Sequence, residues 1–170
     1  MIQKGVASGS IRATMDTREA ILSTDISFIS VGTPSNGNGS LDLKYVENVA
    51  REIGKALLEK DAYHIIILRS TVLPGTTEEL LIPVLEQESG KKCGVDFGVC
   101  FNPEFLREST AIKDFYDPPF TVIGAADEKV ANVVQGLYSM LNAPLRIISI
   151  REAEMIKYAC NAFHALKVTF

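Results

Sequence analysis

The chain has 170 residues, 46% of them apolar and 22% charged, with a formal net charge of −4. That balance fits one globular domain with a single core, excludes a disordered chain, and offers no basic face to a nucleic-acid backbone. The longest unbroken aliphatic stretch, Ile65 to Leu68, is far short of a bilayer span, and Met1-Ile2-Gln3-Lys4-Gly5 has no signal-peptide character. The expectation is a cytoplasmic protein that engages neither membrane nor nucleic acid.

Short β-branched runs alternate with longer helical periods, which favours an α/β fold: a doubly wound, mostly parallel sheet covered by helices. The first predicted strand is Asp25 to Gly32, broken at Thr33-Pro34 by the polar loop Ser35 to Ser40. A helix follows with Val46, Val49, Ala50, Ile53, Ala56 and Leu57 on one face, and either Ser40 or Asp42 can cap it. The second strand, His64 to Leu68, reads as buried on both faces. After Arg69-Ser70-Thr71-Val72-Leu73-Pro74-Gly75-Thr76, a helix is predicted from Thr76 with Glu79 completing a capping box. Pro83 should kink or shorten that helix, and Ser89-Gly90 should end it. Strands are predicted at Phe97 to Phe101, Thr121 to Ile123 and Leu145 to Ile148, with a helix over Val130 to Leu141. From Arg151 to Phe170 the pattern is helical, with no Gly or Pro stop signal.

The three cysteines, Cys93, Cys100 and Cys160, form no Cys-x-x-Cys pair, and His64 and His164 are not placed to complete a zinc set. Free thiols and no metal are expected. Cys100 reads as a buried strand residue rather than a nucleophile.

Ligands of open α/β sheets gather at the carboxyl ends of the strands. Three polar segments stand there: Gly32-Thr33-Pro34, Ser70-Thr71 and Asn102-Pro103-Glu104. Thr33 and Thr71 can each offer a hydroxyl and an amide to one ligand, or can be ordinary turn residues. Glu104 and Glu108 are spaced so that a helical turn would place both carboxylates on one side, fit for acid–base work or for orienting a water. The bland alternative is a solvated turn with Arg107 as charge partner. In the last helix, at about 100° per residue, Glu154, Lys157, Asn161, His164 and Val168 fall within roughly 80°. Met155, Ile156, Ala159, Ala162, Phe163 and Leu166 lie opposite. This pattern suggests a helix buried on most sides, with one polar seam facing a ligand. A lysine there can stabilise developing negative charge, and an asparagine can hold a hydroxyl or a water. No Gly-x-Gly-x-x-Gly cradle for a dinucleotide occurs; Gly37-Asn38-Gly39 lacks the third glycine.

Four stretches then carry a resemblance: Val31-Gly32-Thr33-Pro34, Arg69 to Thr76, Asn102-Pro103-Glu104-Phe105-Leu106-Arg107-Glu108, and Glu154 to Phe163. In order and spacing they resemble the nucleotide-sugar 6-dehydrogenases, the family of UDP-glucose and GDP-mannose dehydrogenases. The run Arg107 to Asp114, Asp117-Pro118-Pro119, and Phe163 to Phe170 are similar to the GDP-mannose branch; the UDP-glucose branch more often has leucine at the position of His164.

The resemblance implies NAD-dependent oxidation of a sugar C6 alcohol to a carboxylate, through two hydride transfers and a cysteine thioester. It implies that Thr33 and Thr71 contact NAD and that Glu104 and Glu108 line the reacting sugar, one as base or water-positioner. Lys157 would stabilise the oxyanion, Asn161 would bind substrate or that water, and His164 would touch the nucleotide sugar. The family's Gly-rich NAD unit and its nucleophile segment have no counterpart here. The expectation is therefore an internal fragment, inactive alone: residues 1–150 a partial Rossmann-like NAD-binding domain, 151–170 the start of a long central helix that pairs two copies. An exposed sheet edge and an unpaired helix face should accompany it. UDP-glucose dehydrogenase, a non-catalytic nucleotide-binding or dimerising module, and remotely another Rossmann-like dehydrogenase are the competing readings.

Overall fold

The computed structural model describes residues 2–170. Two short helices, α1 (Ile2–Ala7) and α2 (Thr17–Leu22), lead into β1 (Ile26–Ile29). They are followed by α3 (Lys44–Leu58), β2 (His64–Leu68), a π turn (Thr77–Leu81), α4 (Ile82–Ser89) and β3 (Phe97–Phe101). The chain continues through α5 (Ala111–Tyr116), β4 (Thr121–Ala125), α6 (Glu128–Leu137), β5 (Leu145–Ile148) and α7 (Ile150–Thr169).

The five strands lie side by side in chain order. β1, β2 and β3 are parallel, as are β4 and β5, but β4 runs antiparallel to β3 through only two residue pairs, Cys100 with Ala125 and Phe101 with Gly124. The expected α/β, mostly parallel sheet is therefore observed, with one reversal. Ile29, Ile66, Leu68, Phe97, Val99 and Phe101 face the side covered by α2, α3, α4 and the start of α7. Ile65, Ile67, Cys100 and Ile123 face α6 through Val130 and Val134. Alternate residues of β2 and β3 thus serve two cores, which explains why both strands are apolar throughout.

Several boundaries differ from the sequence expectation. β1 stops at Ile29 because its carbonyl already accepts the amides of Arg69 and Ser70; the next residues are held by Ser70 Oγ donating to Val31 O at 2.7 Å. Of the two candidate caps for α3, Asp42 accepts from the Lys44 amide at 2.9 Å, while Ser40 bonds to Asn38 within the loop. No capping box forms at Thr76. Its hydroxyl donates to Leu73 O, and Glu79 pairs with Arg151 instead. Pro83 has no amide to continue the helix that opens at Thr77, and the five residues before Ile82 wind as a π turn, in keeping with the expected kink; Gly90 ends the helix at φ +66°. α6 starts on Asp127 and ends at Leu137, earlier than expected, as Tyr138 turns inward.

Candidate active site

The loops after β1 and β2 lie against each other at their carboxyl ends. Thr33 Oγ1 donates to Thr71 O at 2.8 Å. The two threonines are therefore neighbours, as expected. The Thr71 hydroxyl and the amides of Thr33 and Thr71 make no hydrogen bond among the described residues. Three donors on one small, half-exposed ledge fit the hydroxyl and phosphate oxygens of a dinucleotide.

The third loop is built around Asn102. Its amide N–H continues the ladder to Leu68 O, and its carboxamide is fixed at both ends: Nδ2 donates to Val122 O at 2.7 Å, while Oδ1 accepts from Arg69 Nη1 at 2.7 Å and from the Tyr138 hydroxyl. This buried lock, together with the fixed φ of Pro103, keeps residues 102–107 out of a helix. The expected helical turn joining Glu104 to Glu108 is thus overturned: Glu104 is half-buried, whereas Glu108 sits exposed in the following turn. Nor does Arg107 pair with a glutamate. It binds Asp114 in a fork, with Thr110 as a further donor, and these donors hold the Asp114 carboxyl well below the usual range.

Glu104 meets α7. Lys157 Nζ donates to Glu104 O at 2.5 Å and to Glu104 Oε1 at 3.2 Å, and Oε2 accepts from the Leu106 amide at 2.7 Å. Burial pushes the Glu104 carboxyl upward, but the Leu106 amide, Lys157 and the charge of Arg69 outweigh it, so its pKa is lowered. At neutral pH Glu104 is a carboxylate, fit to accept a proton or orient a water rather than to act as an acid. Phe105 stands edge-on to Phe120 at 5.2 Å and closes one side. A cavity of about 40 Å³ beside Glu104, lined in part by Arg69, Asn102 and Tyr138, has room for a few waters and no more.

α7 itself departs from the expected pattern. Ser149 and Glu152 form its capping box. Ile150, Ala153, Glu154 and Lys157 are buried, and everything from Tyr158 onward is exposed. The polar seam faces the domain at Glu154 and Lys157, while the opposite apolar side, with Met155, Phe163 and Leu166, is bare. The expectation of a helix buried on most sides is overturned because the domain ends beneath the second turn. Asn161 and His164 continue the face of Lys157 one and two turns on, open to solvent.

The sequence reading missed Arg69, Asn102 and Tyr138 as one cluster, and missed Glu154 as an anchor. The place of Asn102 at a strand end was a signal; the partners of Arg69 and Glu154 lie too far along the chain to have been one.

The family model for the NAD-binding domain of UDP-glucose/GDP-mannose dehydrogenases matches residues 1–142. The chain belongs to the UDP-glucose/GDP-mannose dehydrogenase family. It is 58% identical to the GDP-mannose 6-dehydrogenase of Pseudomonas syringae pv. tomato over all 170 residues, and 40% identical to a UDP-glucose 6-dehydrogenase of Haloferax volcanii over 96% of its length. It spans 39% of the length of each. Among solved structures, the ternary complex of GDP-mannose dehydrogenase from Pseudomonas aeruginosa superposes with a TM-score of 0.97 at 54% identity, covering 99% of this chain and 38% of that one. NAD is this family's cofactor by description. No helix among the described residues is long and apolar enough to cross a membrane.

Proposed function

We propose that the chain is part of a cytoplasmic GDP-mannose 6-dehydrogenase, which oxidises the sugar C6 alcohol of GDP-mannose to the uronic acid. The observation that carries this reading is the Lys157–Glu104 contact, which follows β3 at the same end of the sheet as the Thr33–Thr71 ledge after β1 and β2. The choice of sugar nucleotide rests on relatives: six at 52–58% identity are GDP-mannose 6-dehydrogenases, against 40% for a UDP-glucose enzyme.

In this reading Thr33 and Thr71 hold NAD, which when bound supplies the hydride acceptor. Lys157 Nζ stabilises the oxyanion that develops at C6, and the Glu104 carboxylate takes the proton, directly or through a water in the adjoining cavity. Glu108, Asn161 and His164 are free to meet the sugar nucleotide from the loop and from α7. No cysteine here suits the family's thiolate. Cys100 is buried with its thiol pushed up to about 12, Cys93 is half-buried and also raised, and Cys160 stands exposed on α7. The 170-residue chain is accordingly inactive alone, with residues 1–150 acting as a partial NAD-binding domain and 151–170 as the start of the central helix. The bare side of α7, with Met155, Phe163, Leu166 and Phe170, is the face through which two copies pair.

The test is NADH formation by the protein as its native source makes it, with GDP-mannose and with UDP-glucose. Faster turnover of GDP-mannose is expected, and none from the purified 170-residue chain. Preference for UDP-glucose would replace the substrate; no NADH from either would end the reading.

A further inference from the structure

Glu154 is fully buried, and its carboxylate accepts three hydrogen bonds from the segment after β2. Gly75 N–H reaches Oε2 at 2.6 Å; Thr77 N–H and Thr77 Oγ1 reach Oε1 at 2.9 and 2.6 Å. Among the described residues no lysine or arginine pairs with it. Two of the donors, the Gly75 and Thr77 amides, are free groups at the opening of the π turn that leads into α4, where a negative charge is favoured; the third is the Thr77 hydroxyl. An apolar residue at 154 would leave those amides unpaired in the core, a cost of the same kind as a lost buried hydrogen bond.

Lys157 lies one helical turn beyond Glu154, on the same face. α7 rests on β4, where Gly124 admits it so closely that a Cβ there would come within 2.6 Å of Ala153 Cβ. Because β4 meets β3 through only two residue pairs, β4 alone fixes α7 weakly against the β1–β3 layer. Glu154 adds a buried, directional crossing to the packing of Ile150 and Ala153 on the β1–β3 core and to the exposed pairs of Arg151 with Glu78 and Glu79. A rotation of α7 by about 20° moves a side-chain tip 5–6 Å from the axis by about 2 Å, enough to lift Lys157 Nζ off Glu104.

We propose that Glu154 is a positioning residue of the reaction site: by gripping Gly75 and Thr77 it sets the rotation of α7 and holds Lys157 on Glu104. The proposal rests on reading Glu104 and Lys157 as the reacting pair, and it extends that reading to the residue that aligns them.

The test follows the Glu104 carboxyl by carbon-13 NMR in the protein as its native source makes it, the signal being assigned with Glu104→Gln. Lys157 and Arg69 are the charges that face this carboxyl, and Arg69 is untouched by every variant used. Glu154→Gln keeps the shape but turns an amide donor toward the N–H groups, so the Glu104 titration should move up toward the ordinary glutamate range. Thr77→Val, which removes one donor, should move it the same way by less, and Thr77→Ser should restore it. Arg151→Ala, which breaks only the exposed pairs of α7 with Glu78 and Glu79, should leave it unmoved. If Glu154→Gln does not fold, Thr77→Val decides. A lowered melting temperature with an unmoved Glu104 titration would reduce Glu154 to a stabilising residue and overturn the proposal. The readout uses neither nucleotide nor turnover, so it can fail while NADH formation succeeds, and the reverse.

Discussion

Lys157 holds Glu104 at two points, its backbone carbonyl and its carboxylate, with a single ammonium group. The contact ties the first buried turns of α7 to the loop that leaves β3, so one residue both closes the site and charges it.

Replacing Lys157 with Met keeps the apolar stem and removes the charge. Turnover by the native enzyme should fall by about 10²–10³, the usual loss for one preorganised group that stabilises an oxyanion. The Glu104 carboxyl should titrate higher in the same variant. Unchanged kcat at saturating substrate would remove Lys157 from the reaction.

His64 makes stability depend on pH. It is fully buried on β2, where Nδ1 bonds to Thr24 O at 3.0 Å and Nε2 to Ser27 Oγ at 2.8 Å. Burial, with the Lys60 ammonium nearby, lowers its pKa to about 4. The neutral ring then donates from Nδ1 and accepts at Nε2. The unfolded chain binds this proton from about pH 6.5 downward and the folded chain does not until about 4. Stability is therefore complete above pH 6.5 and declines as pH falls through that window, by about 3 kcal/mol in all. Denaturant titrations at stepped pH should show the slope, and His64→Gln should flatten it.

The Arg69–Asn102–Tyr138 cluster should be costly to open. Asn102→Ala leaves Val122 O unpaired and takes from Arg69 Nη1 and the Tyr138 hydroxyl their shared acceptor, and should destabilise by about 2–3 kcal/mol; Tyr138→Phe removes one donor to Asn102 and one acceptor of Arg69 and should cost about 1 kcal/mol. Equal losses in the two variants would mean that Asn102 is not the centre of the cluster.

Gly124 sets the closeness of α7 to β4. Gly124→Ala would bring a methyl to 2.6 Å from Ala153 Cβ and 3.0 Å from Ile150 Cα, and should destabilise by about 1–3 kcal/mol. Ala153→Gly in the same chain should recover part of that loss. Failure of the double variant to recover any stability would place the strain elsewhere.

What could be read from the sequence follows the range of the forces involved. β2 and β3 were legible because each is a short apolar run bounded by turn residues, and burial alone fixes such a strand; β5, with Arg146 inside it and no buried residue, was legible only from its aliphatic Leu145, Ile147 and Ile148. The Thr33–Thr71 pairing was legible because strand ends impose it. The Glu104–Glu108 spacing misled, since its helical reading assumed local hydrogen bonding, whereas Asn102 spends its carboxamide on Val122 and Arg69, 20 and 33 residues away. Glu154 was visible as part of a polar stripe, but its partners lie 77 and 79 residues earlier. The short helices α1, α2 and α5 carry too few residues for a periodic signal.

The reversal between β3 and β4 makes the domain two plates joined along a two-rung seam. Backbone pairing there resists sliding but offers little torsional stiffness, which must come from side chains that cross the seam. Asn102 does so toward Val122, Glu154 toward Gly75 and Thr77, and Lys157 toward Glu104. Asn102 and Lys157 also touch the site, and Glu154 lies one helical turn from Lys157. The rigidity that keeps the plates in register is therefore the same rigidity that holds the reacting groups in line, and loosening one must loosen the other.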